Sequence, residues 1–168
     1  MSTQYALYFL VAQFVAIALS ALGVIVTVIW NRNVARRRAT IDMILMDQTN
    51  EALLSARSKF LTAVRSNLLE ELTERDRWYS PESFFFVSTC NRYEIVAVGI
   101  QEGIIDEKIY KRYWRRTVVL DWIRVKPAIL LLRRRANHPE AFCDFETLAC
   151  RWATPDELAR IRALPQSN

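Results

Sequence analysis

The sequence predicts an all-α protein: one N-terminal transmembrane helix, then a cytoplasmic bundle of roughly five to six helices. Three observations carry this. Residues 5–30 read YALYFLVAQFVAIALSALGVIVTVIW, with no charged side chain from end to end. Downstream, apolar residues recur at helical spacing over most of the chain. The 168 residues also include only 3 Gly, so sharp turns are few and runs of good helix formers are long.

At about 1.5 Å per residue, the apolar run reaches roughly 39 Å against a hydrocarbon core of about 30 Å, enough to span with tilt. Its Leu, Ile, Phe and Val each favour insertion by about 0.3–0.6 kcal/mol, which the single polar Gln13 does not reverse. Tyr5, Tyr8 and Trp30 fall near the ends, where amphipathic rings favour the interface. Residues 1–4 carry no basic side chain, whereas Arg32, Arg36, Arg37 and Arg38 follow the run. Positive residues stay on the cytoplasmic side, so the expected topology is N-terminus out and C-terminus in. The four arginines then contact lipid headgroups, each attracted to anionic lipid by about 1 kcal/mol. A cleaved signal peptide has its charge first and a shorter apolar core, so an uncleaved signal anchor is expected. A buried core helix of a soluble protein is the alternative, and length with basic residues directly after it argues against that. Ala12, Ala16, Ser20, Gly23 and Thr27 share one face of this helix. Small residues let two backbones approach in lipid, which makes self-association an expectation of this face.

The resulting division is a transmembrane anchor at residues 1–30, a basic juxtamembrane helix at 31–48, a cytoplasmic helical domain at 49–164 and a frayed tail at 165–168. All charged residues follow Trp30, so the net charge of +5 belongs to the part after the anchor. Arg115–Arg116 and Arg133 to Arg135 read as solvated helix faces. Arginines scattered over several helices without interleaved aromatics argue against nucleic acid as a partner. Cys90, Cys143 and Cys150 face a reducing compartment and lack the close pairing of a zinc knuckle, so no disulfide, metal or cofactor is expected. Cys143 and Cys150, seven apart, read as small core residues.

Within the domain, residues 50–66 form an amphipathic helix marked by Leu53, Leu54, Phe60, Leu61, Val64 and Leu68. Residues 67–79 are charged and helix-prone, with Glu71 and Arg75 at i, i+4 spacing. Ser80-Pro81-Glu82 predicts a helix start. The helix expected over 81–101 is apolar on nearly all sides, as a central helix is. Gly103 and Asp106 stop one helix and cap the next. That helix, from Glu107, shows Ile109, Tyr113, Leu120, Ile123 and Leu130 on its inner face, and Pro127 is expected to kink or break it. Pro139 opens a helix to about residue 153, with His138 at its start. Thr154-Pro155-Asp156-Glu157 is a capping box opening a last short helix.

No phosphate loop, dinucleotide fingerprint, zinc motif or nucleophile elbow is present. Asn91 and Glu94 stand out as polar residues on a helix read as buried. A buried carboxylate needs a partner or a proton, and Arg115, Arg116, Arg124 and Arg151 are the candidate partners. A structural ion pair is favoured over a catalytic carboxylate.

The stretch CNRYEIVAVGIQEGIIDEKIYKR from Cys90, with DWIRVKP at 121–127 and FETLACRW at 145–152, resembles the bacterial proteins grouped as domain of unknown function 4760. The matching positions are Asn91, Glu94, Ala97, Gly99, Ile100, Gly103, Ile105, Asp106, Glu107, Trp122, Pro127, Arg151 and Trp152. The resemblance covers most of residues 36–152 and is least at 66–86. It implies a helical, often membrane-attached bacterial protein, and it implies no activity and no catalytic residues. The expectation is therefore a single-pass protein of the bacterial inner membrane, not an enzyme, whose cytoplasmic domain binds itself or another protein. A membrane-anchored enzyme with a site near Glu94, or a phage-related membrane effector, are the alternatives.

Overall fold

The computed structural model describes residues 3–73, 77, 80–81 and 83–164. Among them are six α-helices, one short 3₁₀ turn and no strand. The all-α prediction holds. Arg75, Glu82 and the tail 165–168, which entered the sequence reading, lie outside the described residues. The chain divides into two compact units, residues 1–38 and residues 39–168.

The first unit consists of most of helix α1, Thr3–Thr49. No breaker or cap separates the apolar run from the basic segment, and the helix continues uninterrupted through both. Its described apolar side chains from Tyr5 to Trp30 are exposed, Phe9, Phe14 and Trp30 by 70% or more. It is the one helix among the described residues long and apolar enough to cross a membrane.

The second unit takes in the last residues of α1, then α2 (Glu51–Arg65), a 3₁₀ turn (Glu71–Thr73), α3 (Phe84–Gln101), α4 (Glu107–Arg135), α5 (Cys143–Trp152) and α6 (Pro155–Ala163). Helix α3 packs on α2 and α5, and α4 packs on α5, α6 and the 3₁₀ turn. Phe60, Phe86, Trp122, Phe145 and Ile129 are fully buried at the centre, each worth about 1.5–3 kcal/mol of transfer free energy. Phe145 stacks on Tyr93 at 4.6 Å and meets Trp122 edge-on at 5.1 Å.

Local chemistry explains most boundaries. Asn50 caps α2 by accepting from the Leu53 N–H (3.1 Å), and Asp106 caps α4 by accepting from Lys108 and Ile109. Thr40, buried on α1, accepts the Asp106 N–H at 2.8 Å and ties the turn before α4 to the end of α1. Thr154 and Glu157 form the predicted capping box of α6. Three helices are closed by a left-handed residue that sends the following N–H back to the last turn. Asn67 does this after α2 (Leu68 N–H to Ala63 O), Gly103 after α3 and Asn137 after α4 (His138 N–H to Arg133 O).

Several expected boundaries shift. Left-handed Asn67 follows the end of α2, so the described residues after it do not extend that helix. Glu71 pairs with Arg77. Helix α3 begins at Phe84 and not at Pro81, because Ser83 turns its N–H and hydroxyl back onto the Ser80 carbonyl. Nor is α3 apolar-buried all round: Phe86, Tyr93 and Ala97 are buried, whereas Phe84 and Ile95 are 70% and 69% exposed. Pro127 does not break α4. The buried Val125, Ala128 and Ile129 on both sides of it offset a cost of about 3 kcal/mol. On α4, Leu130 is buried and Ile109 and Ile123 pack against the core as expected, whereas Tyr113 is exposed and Tyr110, Val118, Val119 and Trp122 are buried as well. Helix α5 starts at Cys143, four residues later than expected, since His138 closes α4 and left-handed, buried Phe142 precedes α5.

The α6 cap is a pH-linked contact. Hydrogen bonds with Thr154, and then Arg115, hold the Glu157 carboxyl below its ordinary value of 4.5. A depressed folded value means that the stabilisation is present above 4.5 and is lost as pH falls through the folded value. Glu157→Gln should therefore lower the melting temperature at neutral pH. The gap to the native chain should close on acidification below 4.5, and a gap that stays constant with pH would remove Glu157 as its source.

Candidate functional site

The principal polar site is built around Asp121, a carboxylate on α4 with no exposed surface. Arg57 from α2 pairs with it, and the Tyr93 hydroxyl from α3 donates to it at 2.7 Å. Arg124, one turn on, adds a contact at 3.2 Å. Arg57 also donates to the Tyr93 oxygen at 3.3 Å, so three helices meet in one network. Burial, reinforced by the Asp121 charge, holds the Tyr93 hydroxyl well above its usual value, so it stays a donor. The buried Cys90 thiol is pushed well up by burial, and then by Asp121 and Glu94, so it is inert as a nucleophile.

Beside this network, Arg92 on α3 pairs with Asp47, buried near the end of α1. It also faces the Tyr110 hydroxyl, which burial raises to about 12 against the opposing pull of Arg92. Arg57 and Tyr93 of the network and the Arg92–Asp47 pair line a cavity of about 220 Å³. Its apolar wall includes Leu53, Leu54 and Ala56, and its polar wall includes Asp47, Arg57, Arg92, Tyr93, Tyr110 and Trp114.

The sequence singled out other residues, and the structure disperses them. Asn91 is exposed, not buried. Glu94 is half-buried and meets none of the four arginines proposed for it. Its carboxylate accepts the N–H groups of Phe145 (2.7 Å) and Asp144 (3.3 Å) instead. It thus caps α5 from another helix, where the residue before α5, Phe142, has no capping side chain. Burial raises the Glu94 carboxyl, and those two amides pull the other way. Arg115 donates to the Trp152 carbonyl at 2.9 Å and pairs with Glu157, clamping α4 to the α5–α6 junction. Arg151 pairs with Glu107 at 3.1 Å, Arg124 belongs to the Asp121 network, and Arg116 is exposed.

On the first unit, Ala12, Ala16, Ser20, Gly23 and Thr27 are all exposed. Ser20 and Thr27 donate to the Ala16 and Gly23 carbonyls of their own helix, at 2.9 and 2.8 Å. A Cβ on Gly23 would meet nothing within 4 Å. Arg32, Arg37 and Arg38 are exposed and Arg36 is half-exposed.

Cys143 is exposed rather than a core residue, while Cys150 is half-buried. Cys143 lies with Glu94 and Asp144 so that their ligand-type atoms fall within 4.8 Å of one another. The Glu94 carboxylate is engaged by the α5 amides, and Gln101 donates to Asp144 at 2.8 Å. Desolvation and the carboxylates of Asp144 and Glu94 raise the Cys143 thiol, away from the thiolate that a metal binds. The trio reads as part of the helix cap.

Sequence reading missed Asp47, Arg57, Arg92, Tyr93 and Asp121 as a group. One signal was present: Asp121 interrupts the apolar run VVLDWI, where a lone carboxylate needs a partner.

These features define an all-α protein with one helix able to span a membrane and a helical unit built over a buried charge network. The chain belongs to the family described as domain of unknown function (DUF4760), whose family model matches residues 10–152. No curated protein and no solved structure matches it.

Removing the Tyr93 hydroxyl leaves the fully buried Asp121 one donor short. Hydrogen bonds to charged groups are worth about 1.5–3 kcal/mol. Tyr93→Phe should lose that amount in denaturant titration with its helicity retained, and an unchanged midpoint would show that the network does not carry stability.

Proposed function

We propose that this chain is a single-pass protein of the bacterial inner membrane, N-terminus out, whose cytoplasmic helical unit acts by self-assembly rather than catalysis. The observation that supports the anchor is the exposure of every described apolar side chain between Tyr5 and Trp30, followed by four arginines. In water such a surface would be far larger than a monomer tolerates, whereas in lipid it is solvated. The arginines set the orientation and contact anionic headgroups.

Two separate surfaces support a second copy as the partner. In α1, Ser20 and Thr27 satisfy their hydroxyls within the helix, which leaves a smooth small-residue face for backbone approach. In the helical unit, Met43, Met46, Phe84, Val87 and Ile95 line an open apolar groove of about 460 Å³. Exposed Phe84, Ile95 and Met46 make this a docking surface rather than scattered apolar side chains. Tethering in one bilayer raises the effective concentration of one copy for another, so modest contacts suffice. The commitment of Glu94 to backbone amides supports a structural role for the carboxylate that the sequence singled out.

Single cysteines placed at Ala12, Ala16, Ser20 and Gly23, in a background lacking Cys90, Cys143 and Cys150, should cross-link with helical periodicity in intact cells. The protein should also resist alkaline extraction from membranes. Ile95→Glu should lower the oligomeric fraction of the detergent-purified chain without loss of helicity. Uniform absence of cross-links together with a strictly monomeric chain in bilayers would overturn self-assembly, and release by alkali would overturn the anchor.

A further inference from the structure

We propose that the 220 Å³ cavity between the end of α1, α2, α3 and α4 is a binding site for a small monocarboxylate with an aromatic or short aliphatic body. This goes beyond the assembly reading and does not depend on it, since every lining residue belongs to the helical unit.

The cavity is built like a ligand site rather than a packing fault. An apolar wall from α2 meets a few convergent polar groups from α1, α2, α3 and α4. A cavity of about 150 Å³ admits benzene, so this one has room for a ring plus a carboxylate.

The polar groups are predominantly donors, which selects the ligand class. The Trp114 indole N–H is buried and has no hydrogen-bond partner, a state that costs about 1–3 kcal/mol and that an acceptor would relieve. The Tyr110 hydroxyl lies fully buried at the same wall and keeps its proton to donate. Arg92 carries five N–H donors, more than Asp47 alone uses. Asp47 and Asp121 already hold Arg92 and Arg57 in place, so a bound carboxylate meets preorganised guanidinium groups and no further acidic lining residue. Leu53 and Leu54 are left for the apolar body of the ligand.

The test uses the full chain in lipid nanodiscs, titrated with benzoate and hexanoate against the neutral benzamide and hexanol. The carboxylates should raise the melting temperature in a saturable way and give calorimetric binding, while the neutral analogues should bind at least tenfold more weakly. Trp114→Phe keeps the ring and removes the donor, and should weaken benzoate about tenfold. Leu54→Trp, at a half-exposed position, should fill the cavity and abolish binding with the fold intact. Equal binding of acids and neutral analogues would overturn the ligand class. No binding of either acid to the folded native chain would overturn the site. If Trp114→Phe fails to fold, the native comparison of acid with amide and the Leu54→Trp chain decide the outcome.

Discussion

A carboxylate with no exposed surface has to be neutralised where it lies, and Asp121 is neutralised by groups from the helices around it. Arg57 brings α2 to it, Tyr93 brings α3, and Arg124 closes it from the same helix. The cost of desolvating such a group is several kcal/mol, so its pairing is not a source of large net stability. Its effect lies in discrimination. A slip of α2 or α3 by one residue would take a partner from the buried charge, a cost that a purely apolar seam does not carry. The same network places Arg57 and Tyr93 at the cavity wall, so the constraint that fixes helix register also shapes the candidate site.

The remainder of the helical unit is held by contacts that cross from one helix to the end of another. Glu94 on α3 caps α5, and Arg115 on α4 grips the α5–α6 junction. The buried Lys126 donates to the Ile161 carbonyl of α6 at 2.8 Å, and Arg133 holds the Ala141 carbonyl and Glu146. Short helices of about ten residues are marginal alone in water, and α5 and α6 are of that length. Their ends are therefore satisfied by side chains from longer helices, and the apolar faces of Phe145, Trp152 and Ile161 complete the docking.

What was legible in the sequence was local. The apolar run, the caps at Asp106 and Thr154, the turn at Gly103 and the helical periodicity are each set within a few residues, and each appears in the structure. What was not legible depends on residues far apart in the chain. Arg57 and Asp121 are separated by 64 positions and Tyr93 and Asp121 by 28, so no local pattern joins them. Glu94 was singled out for its carboxylate, but its partners are backbone amides 50 and 51 positions away, which no side-chain pattern announces. The start of α3 failed for a subtler reason: Ser80-Pro81 has the chemistry of a helix cap, and the chain uses it for a turn because Ser83 competes for the same carbonyl.

The most direct test of this account is a double-mutant cycle on Arg57 and Asp121, by denaturant titration of Arg57→Met, Asp121→Leu and the double variant. Each single change leaves a partner group without its pair, and the double change leaves neither. The account predicts that the double variant is more stable than the sum of the single losses implies, by about 1–3 kcal/mol. Additivity within about 0.5 kcal/mol would contradict it, and would mean that the bundle does not depend on its buried charge.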